Sequence, residues 1–352
     1  MTVTDAHGRI AYRLFDRVLW SSRPVPLLQQ VPAVQRGAAP TPRDVVVDYL
    51  VAPVSDAPRR AITIGHPRGY RVFGTQRGYV FESAAGGWTA AIEPTGRRVD
   101  VHLPPEVLSD ASTSRSIADD LTTAILTRLP ALWGAVPVHA AALLGPTGLV
   151  LLCGSSGAGK STISHLLARL EGWTLVDDDT VALRVPGVDA EGAPDEGVEV
   201  VGLGSLPRLR ADAAQALGVA GRPLPGFADG KVAVDTARAP AVRNTPIAAV
   251  FHLRPQGSTG AGLPALVPPP RPEPGARVRL ERLRSAEALR LLGKAAFSVD
   301  LRDREWLALR FRTTRQCAIH PTYAVDYERG LIAPQEFAAA VSDAVGAGAR
   351  PR

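Results

Sequence analysis

The chain has 352 residues with a formal charge of +6, and its two cysteines, Cys153 and Cys317, are too few for a disulfide framework or a cysteine zinc site. That length is enough for one large or two ordinary domains that bury a core without staples, and the natural expectation is a protein of a reducing, cytoplasmic interior. The positive charge is mostly arginine scattered along the chain and aromatic residues make up 5%, which disfavours nucleic acid as a partner; no stretch reaches the length of a membrane span, and the polar start lacks a signal-peptide pattern.

Residues 9–102 carry short β-branched and aromatic runs separated by glycines, for example at 61–64, 70–73 and 79–81. This spacing predicts a β-meander, interrupted by a Gly/Ala/Pro loop at 36–43. Ile117, Leu121, Ala124, Ile125 and Leu129 recur at helical spacing and predict a helix over 115–129. The expected organisation is a mainly β region over 1–110, a connecting helix within 111–136, and a catalytic α/β domain over 137–348.

In that second part strands are expected at 138–144 and 149–153, then a glycine-rich loop, a helix over 160–171, and a strand at 174–176 that ends in three aspartates. Further on, 187–197 reads as an acidic hairpin tip, 198–201 as a strand, 209–217 as a helix and 247–253 as a buried strand. The Pro/Gly-rich stretch 257–275 reads as a mobile insertion. Helices at 285–292 and 334–345 flank a last strand at 323–327, and the tail is expected to be disordered.

Gly154, Ser155, Ser156, Gly157, Ala158, Gly159, Lys160, Ser161 and Thr162 contain the full pattern G-x-x-x-x-G-K-[ST]. Glycines permit the φ-positive turns that aim successive N–H groups inward as an anion nest, and the helix that follows adds its positive end. Lys160 is placed to reach the β and γ phosphates of ATP or another nucleoside triphosphate, and the Ser161 hydroxyl to coordinate Mg²⁺. An apolar run before the loop and Ile163, Leu166, Leu167 and Leu170 after it give the strand–loop–helix context that this chemistry requires.

Asp177, Asp178 and Asp179 follow the next strand, and a crossover brings its end beside the loop. One carboxylate suits Mg²⁺ and another the proton of an attacking hydroxyl; a solvated capping turn is the alternative. His139 alone reads either as a core histidine or as a phosphate or proton-transfer group. Lys231 and Arg243 either supply positive charge to a transferring phosphoryl group or are loop charges in water. Ser155–Ser156, Tyr323 and Tyr327 read as structural.

Four segments together resemble the HPr serine kinase/phosphorylase family, whose catalytic core is related to phosphoenolpyruvate carboxykinases. They are Val138-His139, the loop 154–161, Leu175-Val-Asp-Asp-Asp179 and Val198-Glu-Val-Val-Gly-Leu-Gly204. The resemblance covers about 137–253, is weak beyond that, and barely touches the N-terminal β region. It implies an ATP-dependent kinase with Asp178 as the base, Asp179 in the metal shell, His139 contacting phosphate and Glu199 as an acidic metal-side residue.

Thr162 stands where the bifunctional enzymes usually have glutamate, and Val201 replaces an arginine. Both departures point away from the full kinase/phosphorylase cycle, towards related kinases that act on a serine of a small peptide or on a free amino acid. The hexamers formed by the resembling enzymes allow a homo-oligomer. Two further readings stay open at this stage: a nucleotide hydrolase or switch in which water replaces the acceptor, and a binding module without turnover.

Overall fold

The computed structural model describes residues 4–31, 40–51, 60–62, 70–83, 87–105, 107, 117–185, 198–224, 230–239, 241–256, 278–328 and 334–348. The expected acidic tip at 187–197, the Pro/Gly stretch at 257–275, the first half of the 36–43 loop and the end of the tail lie outside the described residues. The fold is mixed α/β, with several sheets and a few helices. Among the described residues no helix is long and apolar enough to cross a membrane.

The N-terminal strands are β1 (Ile10–Leu14), β2 (Arg17–Ser21), β3 (Val45–Leu50), β4 (Arg60–Ile62), β5 (Tyr70–Thr75), β6 (Gly78–Ser83), β7 (Thr89–Ile92) and β8 (Arg98–His102). They form one sheet in the order β1-β2-β3-β8-β7-β6-β5-β4. Strands β4 to β8 are the expected antiparallel meander, but β3 runs parallel to both of its neighbours, β2 and β8. Period-2 patterning sets which side chains face inward and says nothing about which strand lies alongside. Here Val45 and Val47 of β3 join Val99 and Val101 of β8 in one core, which the returning meander completes.

The segment after this sheet is helical and buries Ile117, Leu121, Ala124, Ile125 and Leu129 against it, as the spacing predicts. It is not a uniform α-helix. A π-helical turn, Leu121–Ile125, leads into a 3₁₀ segment, Leu126–Trp133. Pro130 has no N–H to give, and the Thr122 and Thr127 hydroxyls donate to the Ala118 and Thr123 carbonyls, so the regular ladder is displaced.

The second half continues with β9 (Val136–Val138), β10 (Ala140–Gly145), β11 (Gly148–Gly154), α1 (Lys160–Leu167), β12 (Thr174–Asp177), β13 (Val181–Arg184), β14 (Val198–Gly202), β15 (Arg208–Arg210) and α2 (Ala211–Ala216). It ends with β16 (Gly221–Pro223), β17 (Lys231–Val234), β18 (Ala241–Thr245), β19 (Ile247–Gln256), β20 (Val278–Arg282), α3 (Ser285–Ala295), α4 (Arg304–Ala318), β21 (Thr322–Glu328) and α5 (Pro334–Gly348). A six-stranded sheet has the order β12-β10-β11-β19-β21-β20, with β11, β19 and β21 parallel at its centre. Val150 and Leu152 of β11 pack into a core with α1 and α5, while Leu149, Leu151 and Cys153 pack into another with α3 and α4. Cover on both faces is why this strand reads as an unbroken apolar run.

Strands β18-β14-β13-β9 form a second sheet and β15-β17-β16 a small third one. Three boundaries differ from the sequence reading. The stretch 138–144 is two strands in two sheets, broken at His139. Helix α1 ends at Leu167, which leaves Leu170 exposed, and Leu209 belongs to β15 because it pairs with Val232.

Candidate functional site

Strand β10 runs antiparallel to both of its neighbours, β11 and β12. The start of β10 therefore lies at the same sheet end as the finish of the other two. His139, Gly154 and the aspartates after β12 meet there because of that single reversal. The same spot is where the chain changes sheets twice, from β9 to β10 at His139 and from β12 to β13 through Asp178–Thr180.

The loop from Gly154 to Lys160 leaves β11 through glycines at φ +148° (Gly154), +77° (Gly157) and +80° (Gly159). Side chains rarely adopt such values. A Cβ on Gly159 would also come within 2.9 Å of the Tyr327 hydroxyl, which donates to the Ala158 carbonyl. Tyr327, at the end of β21, thus supports the loop from beneath. Ser155, Ser156 and Gly157 are exposed, Ala158 is buried, and Thr162 is half-buried on α1.

Lys160 is buried with its ammonium directed at the loop, where it donates to the Gly154 carbonyl at 2.9 Å and the Ser155 carbonyl at 3.2 Å. Burial pushes its pKa below the usual lysine value, and the nearby Asp179 carboxylate offsets part of that. Its third contact is His139 Nε2, at 3.0 Å. An ammonium has only donors, so Nε2 accepts; Nδ1 then carries the proton and donates to the Asp179 carbonyl at 3.0 Å. His139 is held as one neutral tautomer, in keeping with a pKa lowered by burial and by Lys160 and Lys231, against the opposing pull of Asp179.

The three aspartates have three different environments. Asp177 is fully buried; its carboxylate accepts from the Asp179, Thr180 and Gly204 N–H groups and the Ser205 hydroxyl, and burial followed by its neighbour Asp178 raises its pKa to about 7. Asp178 Oδ2 accepts from the Arg208 N–H at 3.2 Å and pairs with His165 Nε2 at 3.1 Å, while His165 Nδ1 meets the Thr236 hydroxyl at 2.9 Å. Among the described residues no hydrogen bond reaches Asp178 Oδ1. Asp179 turns the other way, with its carboxylate 3.8 Å from His139 Nδ1. Burial alone would raise the Asp179 pKa, but His139, Arg208, Lys231 and Lys160 outweigh it and hold the group below the usual carboxylate range. Ser161 Oγ lies 3.4 Å from the Asp178 carbonyl, which ties the start of α1 to this turn.

The structure therefore gathers Lys160, Ser161, His139, Asp178 and Asp179, with Lys231 on β17 in electrostatic reach of the last of these. Glu199 and Arg243 lie elsewhere. Glu199 pairs across the ladder with Arg184, three residues beyond Val181 and so about 10 Å further along the strand. Its carboxylate is engaged by Arg184 at 2.8 Å and by Arg243 at 3.0 Å. The ladder register thus sets Glu199, which the resemblance put on the metal side, away from the aspartate turn, and Arg243, left open between a phosphate contact and a loop charge, pairs with it there. His165, Arg208 and Thr236 were missed by the sequence reading. A histidine set among the apolar positions of α1 was the one visible signal.

Among the described residues no group of three or more His, Cys, Asp or Glu side chains is placed so that it could hold a metal ion by itself. No protein-family model matches the chain, and no curated protein matches it.

Proposed function

We propose that the chain binds a nucleoside triphosphate with Mg²⁺ at residues 154–162 and transfers the γ-phosphoryl group to a hydroxyl, that of a serine or threonine in a peptide or small protein or of a free amino acid. The observation that carries this reading is the buried Lys160 ammonium, held by His139 and two loop carbonyls at the rim of a turn built on φ-positive glycines. On this reading the six-stranded sheet with α1 is a P-loop core of the kind found in the HPr kinase family.

The donor set fits a phosphate-bound Mg²⁺, because this ion keeps several waters and takes only one or two protein ligands besides the phosphates. Ser161 and Asp179 would supply those ligands, and the ion would offset charge on the β and γ phosphates. The loop N–H groups and Lys160 bind and orient phosphate oxygens. Asp178 accepts the hydroxyl proton at Oδ1, its other oxygen being fixed by His165 and the Arg208 amide.

Incubation with γ-labelled ATP and a panel of free serine, free threonine, serine-terminated peptides and an HPr-like protein tests the reading. Label is expected on one class of acceptor. Asp178→Asn is expected to keep ATP affinity and lower transfer by about 10²-fold or more; undiminished transfer would remove Asp178 as base. Steady phosphate release with no acceptor labelled would replace the kinase by a hydrolase.

A further inference from the structure

Beside Val176 at the end of β12 lies a cavity of about 250 Å³ lined by Arg13, Gln29, Thr236 and Arg238 among others, and by no residue of the glycine-rich loop. Ligand clefts for drug-sized molecules run from roughly 300 to 1,000 Å³, so this one suits a small ion or metabolite and not a nucleotide. Its walls come from separate parts of the chain. Arg13 belongs to β1 of the N-terminal sheet and Gln29 to the segment after β2, whereas Thr236 and Arg238 follow β17.

Arg238 is the informative wall. Its side chain is 8% exposed, yet both terminal nitrogens, NH1 and NH2, lack a hydrogen-bond partner among the described residues. The nearest acid, Asp177, lies 3.8 Å from NH1, too far for a hydrogen bond, and its two oxygens already accept from three backbone amides and the Ser205 hydroxyl. A buried guanidinium whose two terminal nitrogens both lack a hydrogen bond is costly to the fold even with a carboxylate at ion-pair distance. The same pair of nitrogens presents the planar fork that takes a carboxylate or phosphate edge bidentately. Arg13 adds a second positive charge, and Gln29 and Thr236 add neutral hydrogen-bonding groups.

We propose that this cavity is a binding site for a small oxyanion, a carboxylate or a phosphate, gripped by Arg238 and Arg13 and distinct from the glycine-rich loop. It does not depend on the kinase reading. The Thr236 hydroxyl that lines it also meets His165, the partner of Asp178, so the site adjoins the proposed catalytic carboxylate without sharing its ligands.

Equilibrium dialysis of the full-length protein against labelled inorganic phosphate and labelled acetate tests this. One saturable site is expected to persist in Lys160→Ala, which removes the loop cation, and to weaken at least tenfold in both Arg238→Met and Arg13→Gln. The anion that binds more tightly identifies the ligand as phosphate-like or carboxylate-like. Loss of the site in Lys160→Ala with retention in Arg13→Gln would assign the anion to the loop and overturn the proposal, as would no saturable binding of either anion to the wild-type chain. Arg13 is only half-buried, so its variant decides the matter if Arg238→Met does not fold.

Discussion

His139 makes the sharpest claim of any single residue, because its two nitrogens have opposite duties. Nε2 accepts from Lys160 and Nδ1 donates to the Asp179 carbonyl, so protonation would set two donors face to face at 3.0 Å. Its folded pKa lies below the free value near 6.5, chiefly through burial. A group with a lowered folded pKa favours the native arrangement above the free value and loses that contribution as the pH falls through the folded one. Stability is therefore expected to receive the full His139 contribution above pH 6.5 and to lose it only at lower pH, and His139→Gln should remove that part of the acid limb in urea unfolding followed across pH. A limb centred above 6.5 would contradict the assigned tautomer. At this scale a spacing rule singles out Lys160 and Ser161 in the sequence, and the fold sets both beside the aspartate turn. Three adjacent aspartates were another matter: their direction is set by the amides of Asp179, Thr180, Gly204 and Arg208, which only the fold delivers.

Among the elements, β21 has a role that its sequence conceals. Tyr323 and Tyr327 read as ordinary packing, and Tyr323 does stack on Phe251 with ring centroids 5.4 Å apart. Tyr327 instead props the loop through its hydroxyl. Tyr327→Phe keeps the ring and removes that bond, so it is expected to cost about 1 kcal/mol of stability and to raise the KM for nucleotide more than it lowers kcat. Steady-state kinetics beside urea unfolding would check both; unchanged KM would show that the ring alone supports the loop. The 15-residue helix α4 escaped the sequence reading for a physical reason. Its buried face consists of Trp306, Thr313, Thr314, Cys317 and Ala318, while Leu307 and Phe311 are exposed, so apolar residues do not mark the inner stripe. The cap was visible in principle, since Asp303 accepts from the Glu305 and Trp306 amides. Strand β11 was legible for the opposite reason, being covered on both faces and apolar throughout.

Across the whole molecule, the N-terminal sheet shares a core with the second half. Ala182, Val201, Leu203 and Val299 pack with Leu14, Leu19 and the helical segment, and the Phe15 and Gln29 amides donate to the Leu203 and Gly204 carbonyls. Val201 is 3% exposed within that core, so the position at which the resembling sequences carry arginine is here filled by apolar contacts with the first half. Val201→Arg is expected to cost about 3 kcal/mol or more, since it buries an unpaired charge, and to lower the urea midpoint accordingly. An unchanged midpoint would mean that the shared core is loose. The joint between β9 and β10, and between β12 and β13, adds a last consequence. The loop side of the site hangs from one sheet, and His139 and the aspartates sit where two strands pass into the other. On the proposed reading their spacing would follow the way the two sheets meet, and reacting groups tolerate a displacement of only about 1 Å before rates fall about 10²-fold. Any remote contact that tilts one sheet against the other would act on this protein as a rheostat, without touching a single group at the site.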